Sequence, residues 1–212
     1  MIKQLLALVT AILLLGCIQP PATAPTVTPP PVISAATATP IATALTSNFS
    51  NEIEAFGDAI KEIKLLNGEF LKTFDEVKKV REKVNAYAGH LQSLDPEENE
   101  TVFLQKNVEV AYHFLDSNNY YLGAFNTGNT KTTTENFTCK DAKAYRLTLN
   151  LTGSAVSEGK KGIEILYSLV KQYPALAAKA GTKFAADLIN SFYAGMDQYA
   201  LESNLAVESK CG

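Results

Sequence analysis

The sequence predicts an all-α fold, an antiparallel bundle of four to five long helices that follows a disordered Pro/Thr/Ala-rich tether. Three observations carry this expectation. From Phe49 onward, apolar residues recur at steps of three and four, the spacing that lines one face of a helix. Pro96 and Pro174 punctuate that pattern at points where helices would open. Between Lys3 and Glu52, 48 consecutive residues carry no charge and hold seven of the nine prolines, a composition that cannot build a core.

At 212 residues and 46% hydrophobic, the chain suffices for one domain with a real core. A net charge of −3 without a basic run disfavours nucleic acid as a partner, because backbone phosphates demand clustered Lys and Arg. The expected organisation is a leader over residues 1–16, a linker over 17–47 and a helical domain over 48–212.

The leader has one basic residue, Lys3, and then the apolar run from Leu5 to Leu15. That run is shorter than the roughly 20 residues a bilayer span needs and suits the apolar centre of a secretory signal. At Leu14-Leu15-Gly16-Cys17 the chain resembles the lipobox of prokaryotic membrane lipoproteins. Leu14 fills the leucine position, Gly16 the small residue before the cut, and Leu15 stands where a small or β-branched residue is more usual. The resemblance covers the first 17 residues. It implies cleavage before Cys17, a diacylglyceryl group on its sulfur, and a protein held on the outer side of the cell membrane. Two acyl chains suffice for stable anchoring. Residues 18–46 favour polyproline II, with a reach of about 90 Å, and their threonines are candidate sites for O-linked sugars.

Within the domain, one series spaced by seven comprises Phe49, Phe56, Ile63, Phe70, Val77, Val84 and Leu91. A second series includes Ile53, Ile60, Asn67, Phe74, Arg81 and Ala88, and together they give the broad apolar face of a bundle helix. The phase runs through Asn67-Gly68, yet both residues tolerate a left-handed backbone, so a break or kink at Gly68 is expected. Asp95 and Pro96 signal the next helix as N-cap and first position. Its inner face is Leu104, Val108, Ala111, Leu115 and Leu122, ending near residue 123. After a polar loop over 125–138, a helix resumes at Cys139 with Ala142, Tyr145, Leu149, Thr152, Val156, Gly159, Ile163, Leu166 and Val170 inward. The stretch from Tyr145 to Thr152 also alternates with period two, but a strand there would lack a partner. Tyr173, preceding proline, closes this helix. Pro174 opens the last, with Phe184, Leu188, Phe192, Met196 and Tyr199 expected inward.

If Tyr173-Pro174 is a tight turn, Cys139 and Cys211 reach the same end of two antiparallel helices. An exported protein can oxidise them, so a disulfide is expected. No nucleophile-and-base pair, phosphate loop or metal-ligand spacing is present, and no catalytic, cofactor or metal site is assigned. His90 and His113 are read as satisfied histidines. Arg81, within an apolar series, and Tyr120 and Tyr121, in the Tyr- and Asn-rich stretch 117–126, are the candidate ligand contacts. Sequons begin at Asn48, Asn99, Asn136 and Asn150, of which Asn136 is the best placed for a sugar and Asn150 the worst.

The functional expectation is a non-enzymatic, membrane-anchored lipoprotein whose bundle serves as an interaction or envelope module, with an envelope protein as its partner. The alternative is an extracytoplasmic receptor for a small ligand held between helices.

Overall fold

The computed structural model describes residues 48–63, 68–95, 97–126 and 138–211. Cys17, the tether, Asn67, Pro96 and the sequon at Asn136 lie outside the described residues. The described chain is helical: α1 spans Phe49–Ile60, α2 Phe74–Leu91, α3 Asn99–Asn126, α4 Ala142–Gln172, α5 Pro174–Lys179 and α6 Thr182–Cys211. A 3₁₀ turn, Cys139–Asp141, leads into α4. No helix among the described residues is long and apolar enough to cross a membrane.

The seven-residue series is the core side of α1 and α2. Phe49, Val77, Val84 and Leu91 are buried, Phe56 and Ile63 are partly buried against their cluster, and Phe70 packs on the neighbouring cluster around Phe114 and Tyr193. The phase survives the interruption, but the helix does not. α1 ends at Ile60, Gly68 takes a φ of +67°, and α2 starts only at Phe74. Thr73 supplies its N-cap, its hydroxyl accepting from the Glu76 N–H at 3.1 Å.

All five residues expected inside α3 are buried, and Phe103, Asn107, Val110, Phe114, Ser117 and Asn118 are buried with them. α3 is the central helix, flanked by α2 and α4 and crossed by α1. It begins later than its sequence signals suggest. The Asp95 carboxylate does accept from the Glu97 N–H at 3.0 Å, but helical structure starts at Asn99.

In α4 the 145–152 stretch is helix, and its expected inner residues are buried from Tyr145 to Leu166, with Ala142 and Val170 half-buried at the ends of the series. Of its three glycines, Gly159 and Gly162 lie against the Tyr193 and Phe114 rings, whereas Gly153 faces open space. Cys139 and Cys211 form a disulfide, with Cα atoms 5.5 Å apart.

The last helix departs from expectation twice. Gly181, at φ +65°, divides it into α5 and α6. Its inward face is also different: the buried positions of α6 are Thr182, Ala186, Ile189, Tyr193, Ala200, Ser203 and Val207. Phe184 is 72% exposed, and Leu188 and Tyr199 are exposed as well, while Phe192 and Met196 are half-buried. The reason is shape. α6 packs on α4 through small residues and a single large ring, Tyr193, which enters the space left by Gly159. As an edge helix whose main partner is α4, α6 has no neighbour among the described residues to cover its bulkier stripe.

Candidate functional site

Where the 68–72 segment crosses the bundle, it opens a cleft of about 570 Å³ lined by Phe70, Leu71, Tyr121, Phe125, Phe192 and Met196. The segment is pinned by Asn118 of α3. The Leu71 N–H donates to Asn118 Oδ1 at 2.8 Å, and Asn118 Nδ2 donates to the Leu71 carbonyl at 3.3 Å. Buried at both ends, this reciprocal pair fixes the segment as a β-ladder pairing would. Gly68 lets the chain turn there, and a side chain at that position would lean on the Phe192 ring, 3.5 Å from its Cβ.

The walls are aromatic. Phe70 stacks on Tyr121 with centroids 4.1 Å apart and lies 5.3 Å from Phe192. Behind Phe192 lies the buried Tyr193, edge-on to it at 5.4 Å. Its hydroxyl donates to Ser117 Oγ at 2.7 Å, which donates to the Ala155 carbonyl at 2.7 Å. Burial pushes the Tyr193 phenol above the ordinary tyrosine range, so it stays a neutral donor. Partial burial of its ring, then a hydrogen bond with Tyr145, raises Tyr199 as well. Phe125 and Tyr199 remain exposed.

The sequence-derived contacts do not converge here. Tyr121 lines the cleft, but Arg81 and Tyr120 do not. Arg81 pairs with Asp116 of α3 and lies 5.7 Å from the Tyr112 ring centroid, fastening α2 to α3. The Tyr112 hydroxyl donates to Asn85 Oδ1 at 2.7 Å beside it. Of the sequons, Asn48 and Asn150 are exposed and Asn99 half-buried at the start of α3. Sequence reasoning missed Phe70, Phe192, Tyr193 and Asn118 as one group. Phe70 stood in the seven-residue series and Asn118 and Tyr121 in the Tyr/Asn stretch, but nothing in the sequence joined either to α6.

Both histidines pair with glutamates. His90 Nε2 is 3.1 Å from the Glu52 carboxylate, and the Tyr87 hydroxyl donates to the Glu52 carbonyl at 3.1 Å, so α1 is tied to α2 twice. His113 Nδ1 meets Glu158 Oε2 at 2.8 Å, and Lys161 donates to the other oxygen at 2.6 Å. The Lys161 ammonium, aided by His113 and opposed by partial burial, holds the Glu158 carboxyl below the usual carboxylate range. The stabilisation is therefore complete above the unfolded-state value of about 4.3 and is lost as pH falls through the lower folded-state value. Glu158→Gln is expected to lower stability at pH 7 by about 1–2 kcal/mol, and the difference to close at pH 3. Urea titrations at the two pH values check it; equal losses at both would show that charge plays no part.

Among the described residues no three His, Cys, Asp or Glu side chains gather where they would hold a metal ion. The chain matches no protein-family model, no curated protein sequence and no solved structure.

Proposed function

We propose that the chain is a membrane-anchored lipoprotein facing outside the cytoplasm, whose bundle is a non-catalytic docking module for an envelope protein. The observation that carries this reading is the uncovered stripe of α6. Phe184, Leu188, Phe192 and Tyr199 share one flank of the helix, with Phe184 72% exposed, and Phe192 continues into the aromatic cleft. An aromatic surface continuous with a concave cleft is the usual anatomy of an anchor site for a partner's side chains. The leader, with its lipobox-like end, supports the anchoring through Cys17.

The test begins with native membranes. Detergent is expected to release the protein and high salt to leave it bound, whereas Cys17→Ser should free it from the membrane without detergent. Crosslinking followed by mass spectrometry is expected to recover a stoichiometric protein partner. Phe184→Ser combined with Leu188→Ser should lose that partner while Tm stays within about 2 °C, since both side chains are exposed. Recovery of the protein alone, or an unchanged complex in the double variant, would overturn the docking role and move the small-ligand receptor to first place.

A further inference from the structure

A second cavity, of about 220 Å³, lies under α1, away from the aromatic cleft and independent of the docking reading. Ile53, Phe56 and Ile60 of α1 form one wall, Phe103, Asn107 and Phe114 of α3 another, and Thr182 and Ile189 of α6 complete it. Among the described residues, no charged side chain lines it. A cavity of ~150 Å³ with Leu, Ile and Phe walls stays dry and takes up benzene. By proportion this one has room for about nine carbon atoms.

Asn107 gives the cavity its direction. The side chain is buried, at 8% exposure, and its Nδ2 donates to the Phe103 carbonyl one turn back at 2.8 Å. An asparagine side chain offers two donors and two acceptor sites, so a second N–H and the carbonyl oxygen have capacity for a guest. An ionised group would lose its hydration here without a counter-charge, which excludes it from the interior.

We propose that this cavity is a binding site for a neutral hydrocarbon group of about nine carbons with one hydrogen-bonding function directed to Asn107. Two sources share that chemistry: a free medium-chain molecule, and a membrane lipid whose ester carbonyl faces Asn107 with the adjoining acyl carbons in the cavity. α1 is the movable wall. A helix of 12 residues is marginal alone and depends on its packing partners, so occupancy should be read in its amide exchange.

The experiment uses the full chain in lipid nanodiscs, with 1-nonanol as the probe and hydrogen exchange read by mass spectrometry over residues 49–60. Comparators in identical nanodiscs are Ala111→Phe, which fills the cavity from α3, and Gly57→Met, which fills it from α1. Gly57 has no atom within 4 Å of a Cβ placed there, so the second variant keeps the fold if the first does not. At twice its dissociation constant the probe is expected to slow exchange in α1 about threefold in the native chain and to change nothing in the filled variants. Native mass spectrometry separates the sources. A lipid retained by the native chain and absent from the filled variants assigns the site to that lipid; no lipid, with protection by 1-nonanol, assigns a free ligand. Equal responses of the native and filled chains, with no lipid retained by either, overturn the proposal.

Discussion

Gly159→Ala is expected to destabilise the chain by about 3 kcal/mol, a fall in Tm of roughly 6–12 °C at this size. The added Cβ would stand 2.2 Å from Cζ and 2.3 Å from Cε1 of Tyr193. No side-chain rotation relieves that clash. Tyr193 is fully buried, its ring lies between Phe114 at 6.3 Å and Phe70 at 6.4 Å, and its hydroxyl is fixed by Ser117. α6 must therefore move away from α4, loosening the contacts of Ile189 and Ala186, one and two turns before the ring. The intrinsic helix preference for alanine works in the opposite direction by about 1 kcal/mol, so a net loss isolates the packing term. Gly153→Ala, in the same helix but with no atom within 4 Å of the new Cβ, should be neutral or stabilising by up to about 1 kcal/mol. The decisive measurement is the double substitution with Tyr193→Leu. Once the ring is gone, Gly159→Ala should lose most of its cost, a coupling of about 2 kcal/mol. Equal effects of alanine at 153 and 159 in urea denaturation would show that the helices do not approach closely at Gly159.

This contact also marks the boundary of what the sequence could disclose. Helical periodicity located the core faces of α2, α3 and α4, because those helices bury large aliphatic residues against neighbours on more than one side. Val77, Val84, Leu104, Leu115 and Ile163 were legible for that reason. α6 was not. Its packing side is chosen by steric fit to α4, which selects Ala186, Ala200 and Ser203 over Phe184 and Leu188, against the order that hydrophobicity alone would give. The same limit hid the aromatic cleft. Phe70, Tyr121 and Phe192 come from three separate stretches of chain, and what unites them is a fold-back at Gly68 and an amide clamp from Asn118. Only Gly68 had a local signature. The disulfide was legible because it followed from helix lengths and one turn, both of which prolines and periodicity report. The division at Gly181 altered the helix count without disturbing that alignment.

Loss of the Cys139–Cys211 bond, by reduction or by Cys139→Ser with Cys211→Ser, is expected to lower stability by about 3–4 kcal/mol and to act first at one end of the molecule. A cross-link over a sequence separation of 72 residues removes denatured-chain entropy corresponding to about 4 kcal/mol at 25 °C. The structure indicates where the bond matters in the native state. α3 ends at Asn126, and Gly123 already lies beside Leu151 of α4. Among the described residues, the first turns of α4 therefore have α6 as their main support, through a small cluster of Tyr145, Leu149 and Val207 with Ala142 and Cys211 packed against it. Leu201 and Leu205, on the α6 side of this end, are 61% and 57% exposed. So small a cluster cannot hold two helix ends together for long against fraying. Hydrogen exchange in the reduced protein should accelerate over residues 142–149 and 203–211 before it changes in α2 or α3, while overall helicity at 25 °C remains. That pattern would identify the bond as a staple on a two-helix projection. Uniform acceleration across all helices would instead make it a determinant of global stability alone, and an unchanged Tm under full reduction would remove it from both roles.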